Sequence, residues 1–86
     1  MQQFKYTITD DLGIHARPAG MLVRLSMNYE CELAIINSAG KLANLKKIFT
    51  VMGLGVKCSD IITVTANGVD EMEAITALER FFLQNL

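Results

Sequence analysis

The residues predict an α+β fold: a four-stranded antiparallel sheet covered on one face by three helices, in the order β-α-β-β-α-β-α. Three observations predict it. Short segments that alternate apolar and polar residues are interleaved with segments whose apolar residues recur at helical spacing. Turns containing glycine or asparagine separate these segments at short intervals. Finally, 86 residues of which 51% are apolar can build one core and no more, so residues 1–86 read as a single domain.

Each element has its own signal. In 3–9, Phe4, Tyr6 and Ile8 alternate with Lys5, Thr7 and Thr9, the period of a half-buried strand. Asp10-Asp11-Leu12-Gly13 breaks it as a polar loop. From Ala16 to about Met27, Ala19, Leu22, Val23 and Ser26 form one helical stripe with Leu25 and Tyr29 beside it. Pro18 suits the first turn of that helix, where its missing N–H costs no ladder bond. Residues 32–37 and 41–44 read as strands joined by a tight turn containing Ser38 and Gly40. Lys46 to Met52 reads as a short helix ended by Gly53. The β-branched run 61–66 is a strand, followed by an Asn67-Gly68 turn. A last helix opens at Asp70, with Glu73 placed as in a capping box, and presents Ile75, Leu78 and Phe82 at helical spacing.

Composition excludes several function classes. Eight basic against nine acidic residues leave a net charge of −1, which gives no general attraction to nucleic acid or anionic lipid. No apolar run approaches a membrane span and the N-terminus lacks a signal-peptide pattern, so a cytoplasmic protein is expected. Cys31 and Cys58 are too few for a disulfide framework, and one histidine without a CxxC leaves a metal without ligands. No structural metal is expected.

Chemistry points to Gly13-Ile14-His15-Ala16-Arg17-Pro18-Ala19, where a loop meets a helix. A helix N-terminus presents unpaired amides and the positive end of a dipole, which suits an anion. Arg17 in that first turn opposes the dipole and is a poor choice for helix stability alone. Beside a nucleophilic imidazole, the misplaced cation makes sense if a phosphoryl group sits between them. A capping or solvated histidine is the ordinary alternative on spacing alone.

The segment GIHARPA resembles the active-site signature of the HPr family, the histidine phosphocarriers of the bacterial phosphoenolpyruvate:sugar phosphotransferase system. Asn44–Gly55 resembles that family's second segment, and Ala66–Glu71 with Ala77-Leu78-Glu79 its last turn and helix. The resemblance implies an open-faced β-sandwich and a phosphoryl carrier rather than a turnover enzyme, with no metal or organic cofactor implied for the carrier itself. His15 matches the residue phosphorylated on Nδ1, and Arg17 the arginine that responds to the phosphoryl group. Ala16, Arg17 and Pro18 then border the phosphate. Enzyme I is the implied donor and enzyme IIA domains the implied acceptors, with regulatory proteins as further partners. The implied docking surface is Met21 and Arg24 on the first helix with Lys46, Lys47, Ile48, Phe49 and Met52 around the second, with Met21 and Phe49 at least partly exposed.

Three departures stand out. Leu12 stands where members of the family commonly carry a small polar residue or Asn, so the resemblance implies that a polar contact to the imidazole is missing here. Lys47 stands where relatives regulated by a serine kinase carry the target serine. One extra residue lies in the hairpin near Ser38-Ala39. The alternative to a carrier is a regulatory docking module with the same fold, binding a transcription factor or enzyme without moving phosphate. Retention of His15 with Arg17 favours the carrier. No ligand-specific residues suggest a small-molecule sensor, and no aromatic strand motif suggests RNA binding.

Overall fold

The computed structural model describes residues 1–86. It contains β1 (Gln2–Thr7), α1 (Ala16–Ser26), β2 (Glu32–Ile36), β3 (Leu42–Asn44), α2 (Ile48–Met52), β4 (Ile61–Asn67) and α3 (Glu71–Asn85), the expected element order. The sheet order is β1-β4-β2-β3 and every pairing is antiparallel. Gln2 lies opposite Ala66 and Thr7 opposite Ile61, so the first strand is zipped along its length to the last.

Strand alternation sets which face is covered. Leu33, Ile35, Ala43, Ile62, Val64 and Ala66 are buried on one face, and Phe4 and Tyr6 pack against the same core. Their neighbours Gln3, Lys5 and Thr7 are exposed on the other. α3 lies across β1 and β4, and α1 packs on α2 and α3, so all helices share one side. This is an open-faced α+β sandwich. The α1 stripe is buried as its spacing requires, and Ser26, buried within it, satisfies its hydroxyl by donating to the Leu22 carbonyl at 2.8 Å.

Three local readings are corrected. β1 ends at Thr7 rather than Thr9, because Ile8 turns into the core and its amide donates to the Asp60 carbonyl. α2 begins at Ile48, not Lys46: the Asn44 side chain and carbonyl accept the Lys46 and Lys47 amides, holding that stretch as a turn. The expected capping box at α3 does not form. Asp70 instead accepts the amides of Glu30 at 2.8 Å and Cys31 at 2.9 Å, tying the start of α3 to the segment after α1. Glu71 is the residue that reaches back, accepting the Gly68 amide at 3.1 Å.

Candidate functional site: the start of the first helix

His15 is the N-cap of α1, with extended backbone (φ −90°, ψ 179°), and its carbonyl accepts the first helical bond from the Ala19 amide at 3.0 Å. Its imidazole makes no capping bond, so the ring is free for other chemistry, and its side chain is 35% exposed. Pro18 has no N–H to offer, and the amides of Ala16 and Arg17 have no backbone acceptor. Two donors therefore point out of the helix end beside the imidazole. Arg17 is exposed and has no ion-pair partner.

The approach to His15 is fixed by Gly13, whose φ is +66°. A Cβ there would stand 2.2 Å from the Val56 carbonyl oxygen, so only glycine fits. The Ile14 amide then donates to that same oxygen, and Ile14 itself is buried. Upstream, the Asp10 carboxylate accepts the Leu12 amide at 2.8 Å, and the Asp10 carbonyl accepts the Gly13 amide. The Leu86 carbonyl at the end of α3 accepts the Thr9 and Asp10 amides at 2.6 and 2.9 Å. The other Asp10 carboxylate oxygen lies 3.7 Å from His15 Nε2.

These elements enclose a shallow cleft of about 200 Å³ lined by Asp10, His15, Arg17, Pro18, Met21 and Asn85. His15, Arg17, Pro18 and Met21 come together as the sequence suggested. Asp10 and Asn85 are additions. Asp10 carried a usable signal, since an aspartate two residues before a loop amide is a common turn former. Asn85 carried none, being 70 positions away from His15 and brought there by α3. Its side-chain NH₂ donates one hydrogen to the Phe81 carbonyl at 3.0 Å, which anchors it at the edge of the cleft. Leu12 turns its side chain to solvent, 71% exposed, and contributes only its backbone to the loop.

The other suggested residues divide. Phe49 is 89% exposed, and Met21 and Met52 are exposed at 39% and 38%. Arg24 and Lys47 are exposed as well. Ile48 is half-buried, with its Cδ1 set over Gly20 as the joint between α1 and α2. Lys46 is turned away from the cleft, its Nζ donating to the Tyr29 carbonyl at 2.6 Å, and it lines a separate hollow beside Glu30 and Glu32. Of the thiols, Cys31 is buried, and burial followed by its contact with Asp70 pushes its pKa up to about 11. No group of three or more potential metal-ligating side chains converges anywhere, and no helix is long and apolar enough to cross a membrane.

The family model described as the PTS HPr component phosphorylation site matches residues 2–84. The chain is 38% identical over 85 residues to the phosphocarrier protein HPr of Mycoplasma genitalium, an alignment covering 99% of this chain and 97% of that one. A solved histidine-containing phosphocarrier protein from Mycoplasma is similar with a TM-score of 0.93 at 35% identity, covering 96% of this chain and 93% of the other. The HPr-C-His structure from Thermoanaerobacter tengcongensis gives 0.92 at 31% identity, over 98% and 93%. With GIHARPA folded into an uncapped imidazole at a helix N-terminus, the chain belongs to the HPr family, the phosphoryl carriers of the phosphotransferase system.

Proposed function

We propose that His15 takes the phosphoryl group from enzyme I on Nδ1 and passes it to enzyme IIA domains, acting in the cytosol as a single-domain carrier without turnover of its own. The observation that carries this reading is the free imidazole of His15 beside two unengaged amides and an unpaired guanidinium. In transfer, the Nδ1 lone pair forms the bond to phosphorus while the bond from phosphorus to the donor group breaks. Charge on the equatorial oxygens rises in that transition state, and Arg17 with the Ala16 and Arg17 amides is suited to meet it.

A carrier must also release what it binds. Each charge-assisted hydrogen bond contributes about 1.5–3 kcal/mol, so a cage of several arginines would trap the phosphoryl group. Here there is one guanidinium, and Pro18 removes an amide that another residue would have offered. Phe49, Met21 and Met52, with Arg24 and Lys47 around them, form the partly apolar, partly basic rim that successive partners would cover. Ile48 supports that rim from the α1–α2 joint.

The test is incubation with phosphoenolpyruvate and enzyme I, followed by mass spectrometry under non-acidic conditions. One acid-labile phosphoryl group is expected on the wild-type protein and none on His15→Ala, whose fold should be retained. Label persisting in His15→Ala would sink the assignment.

A further inference from the structure

We propose that Asp10 is a positioning residue for phosphoryl transfer: its loop-fixed carboxylate holds the imidazole proton of His15 on Nε2 and so presents the Nδ1 lone pair to phosphorus. The inference rests on the reading of His15 as phosphoacceptor.

The carboxylate is built into place. Its Oδ1 accepts the Leu12 amide at 2.8 Å, which fixes the side-chain rotamer. Its own backbone is held at both ends, by the Gly13 amide donating to its carbonyl and by its amide donating to the Leu86 carbonyl. Leu86 is buried and does not give way easily. The remaining oxygen, Oδ2, faces His15 Nε2 at 3.7 Å. That is longer than a hydrogen bond, but resting-state contacts of this kind tighten when charge develops on the ring. The ionisable groups lining the cleft are Asp10, His15 and Arg17, so the Asp10 carboxylate is the anionic side chain beside the imidazole there, and the Arg17 side chain borders the same cleft from the helix. Leu12 sends an apolar side chain to solvent and adds nothing to the ring.

A neutral imidazole carries one N–H and one lone pair, and the nitrogen facing a carboxylate is where the proton is most stable. Nε2 is that nitrogen here, which leaves Nδ1 as the nucleophile. As the Nδ1–phosphorus bond forms and the donor bond breaks, Nε2 keeps its proton and the ring becomes cationic. No proton has to leave. The carboxylate offsets the new charge, and the same contact serves the reverse step, in which the electron pair returns to Nδ1.

Asp10→Asn separates this from a merely structural role. The amide oxygen can still accept the Leu12 amide, but the NH₂ group then faces Nε2 and favours its lone pair. The proton moves to Nδ1, the wrong tautomer for attack. Long-range ¹H–¹⁵N spectra of the unphosphorylated protein in mildly alkaline solution should show Nε2–H in the wild type, mainly Nδ1–H in Asp10→Asn and a mixture in Asp10→Ala. Transfer from enzyme I should slow about 10–100-fold in Asp10→Asn with the melting temperature little changed. Asp10→Glu should recover part of the rate, and Asp11→Asn, which removes the same charge one residue on, should behave as wild type. A wild-type tautomer in Asp10→Asn overturns the proposal, whether or not the rate falls. Absence of label from wild-type His15 would instead overturn the phosphoacceptor reading, and with it the role of Asp10 in transfer, even where the tautomers behave as expected.

Discussion

Arg17 lies in the first turn of α1, where a cation costs roughly 0.3–1 kcal/mol against the helix dipole, and it has no ion pair to offset that. Arg17→Ala should therefore leave the melting temperature unchanged or slightly higher. Losing one charge-assisted contact of about 1.5–3 kcal/mol should slow phosphoryl transfer by about 10–100-fold in both directions. Stopped-flow or quench measurements of exchange with enzyme I check the rate, and calorimetry the stability. A large stability loss with normal transfer would make Arg17 structural. At this scale the His15 neighbourhood was legible because the whole cluster from Gly13 to Pro18 is contiguous, and the misplaced cation is visible in the chain itself. The Asp70 contact to Glu30 and Cys31 was not, since its partners lie 40 and 39 positions away and Asp70 equally fits the pattern of a local cap.

At the scale of elements, α2 is five residues long and its N-cap, Lys47, makes no capping bond. Thr50, the nearest hydroxyl, donates to the Asn44 and Lys47 carbonyls from inside the helix. The protein should therefore stay unmodified by the serine kinase and ATP that act on relatives. Lys47→Ser should raise stability by about 1 kcal/mol through an N-cap bond and removal of the cation, read by chemical denaturation. It should also create a phosphorylatable hydroxyl at the helix start. Sequence spacing placed this helix two residues early because the apolar pattern cannot distinguish a helical turn from a turn held by Asn44. The start of α3 has an acid sensitivity. The Glu30 amide, donating to the Asp70 carboxylate, holds its pKa below the ordinary 3.8. The folded value is the lower one, so this contribution to stability is complete well above pH 3.8 and is lost as the pH falls through the folded value. Thermal midpoints measured from about pH 5 down to pH 2 should fall less steeply in Asp70→Asn than in the wild type.

For the whole molecule, Phe82 is the central packing residue. It is fully buried, and Phe4, Tyr6 and Phe81 meet it edge-on with centroids 5.7, 5.6 and 6.2 Å away. Phe82→Ala should cost about 3–5 kcal/mol, a large share of the roughly 4–13 kcal/mol expected for a chain this size. A melting temperature lowered by less than about 10 °C would show that the neighbours collapse into the space. Element types and the covered face were legible because each strand alternates cleanly. The strand order was not, because nothing in the alternation of 2–7 says that its partner is 61–67.

That order has a consequence for how the protein is made. Only β2 and β3 are joined as neighbours in both chain and sheet, so β1 leaves the ribosome long before its partner β4 exists. Long-range pairing of this kind delays folding until most of the chain is available. The His15 loop waits longer still: Ile14 is anchored on Val56, and Thr9 and Asp10 on Leu86. A half-synthesised or truncated chain has GIHARPA but no cradle around it. The loop that presents His15 is therefore set only once the segment before β4 and the end of α3 have packed against it, so folding of the whole domain precedes a formed site.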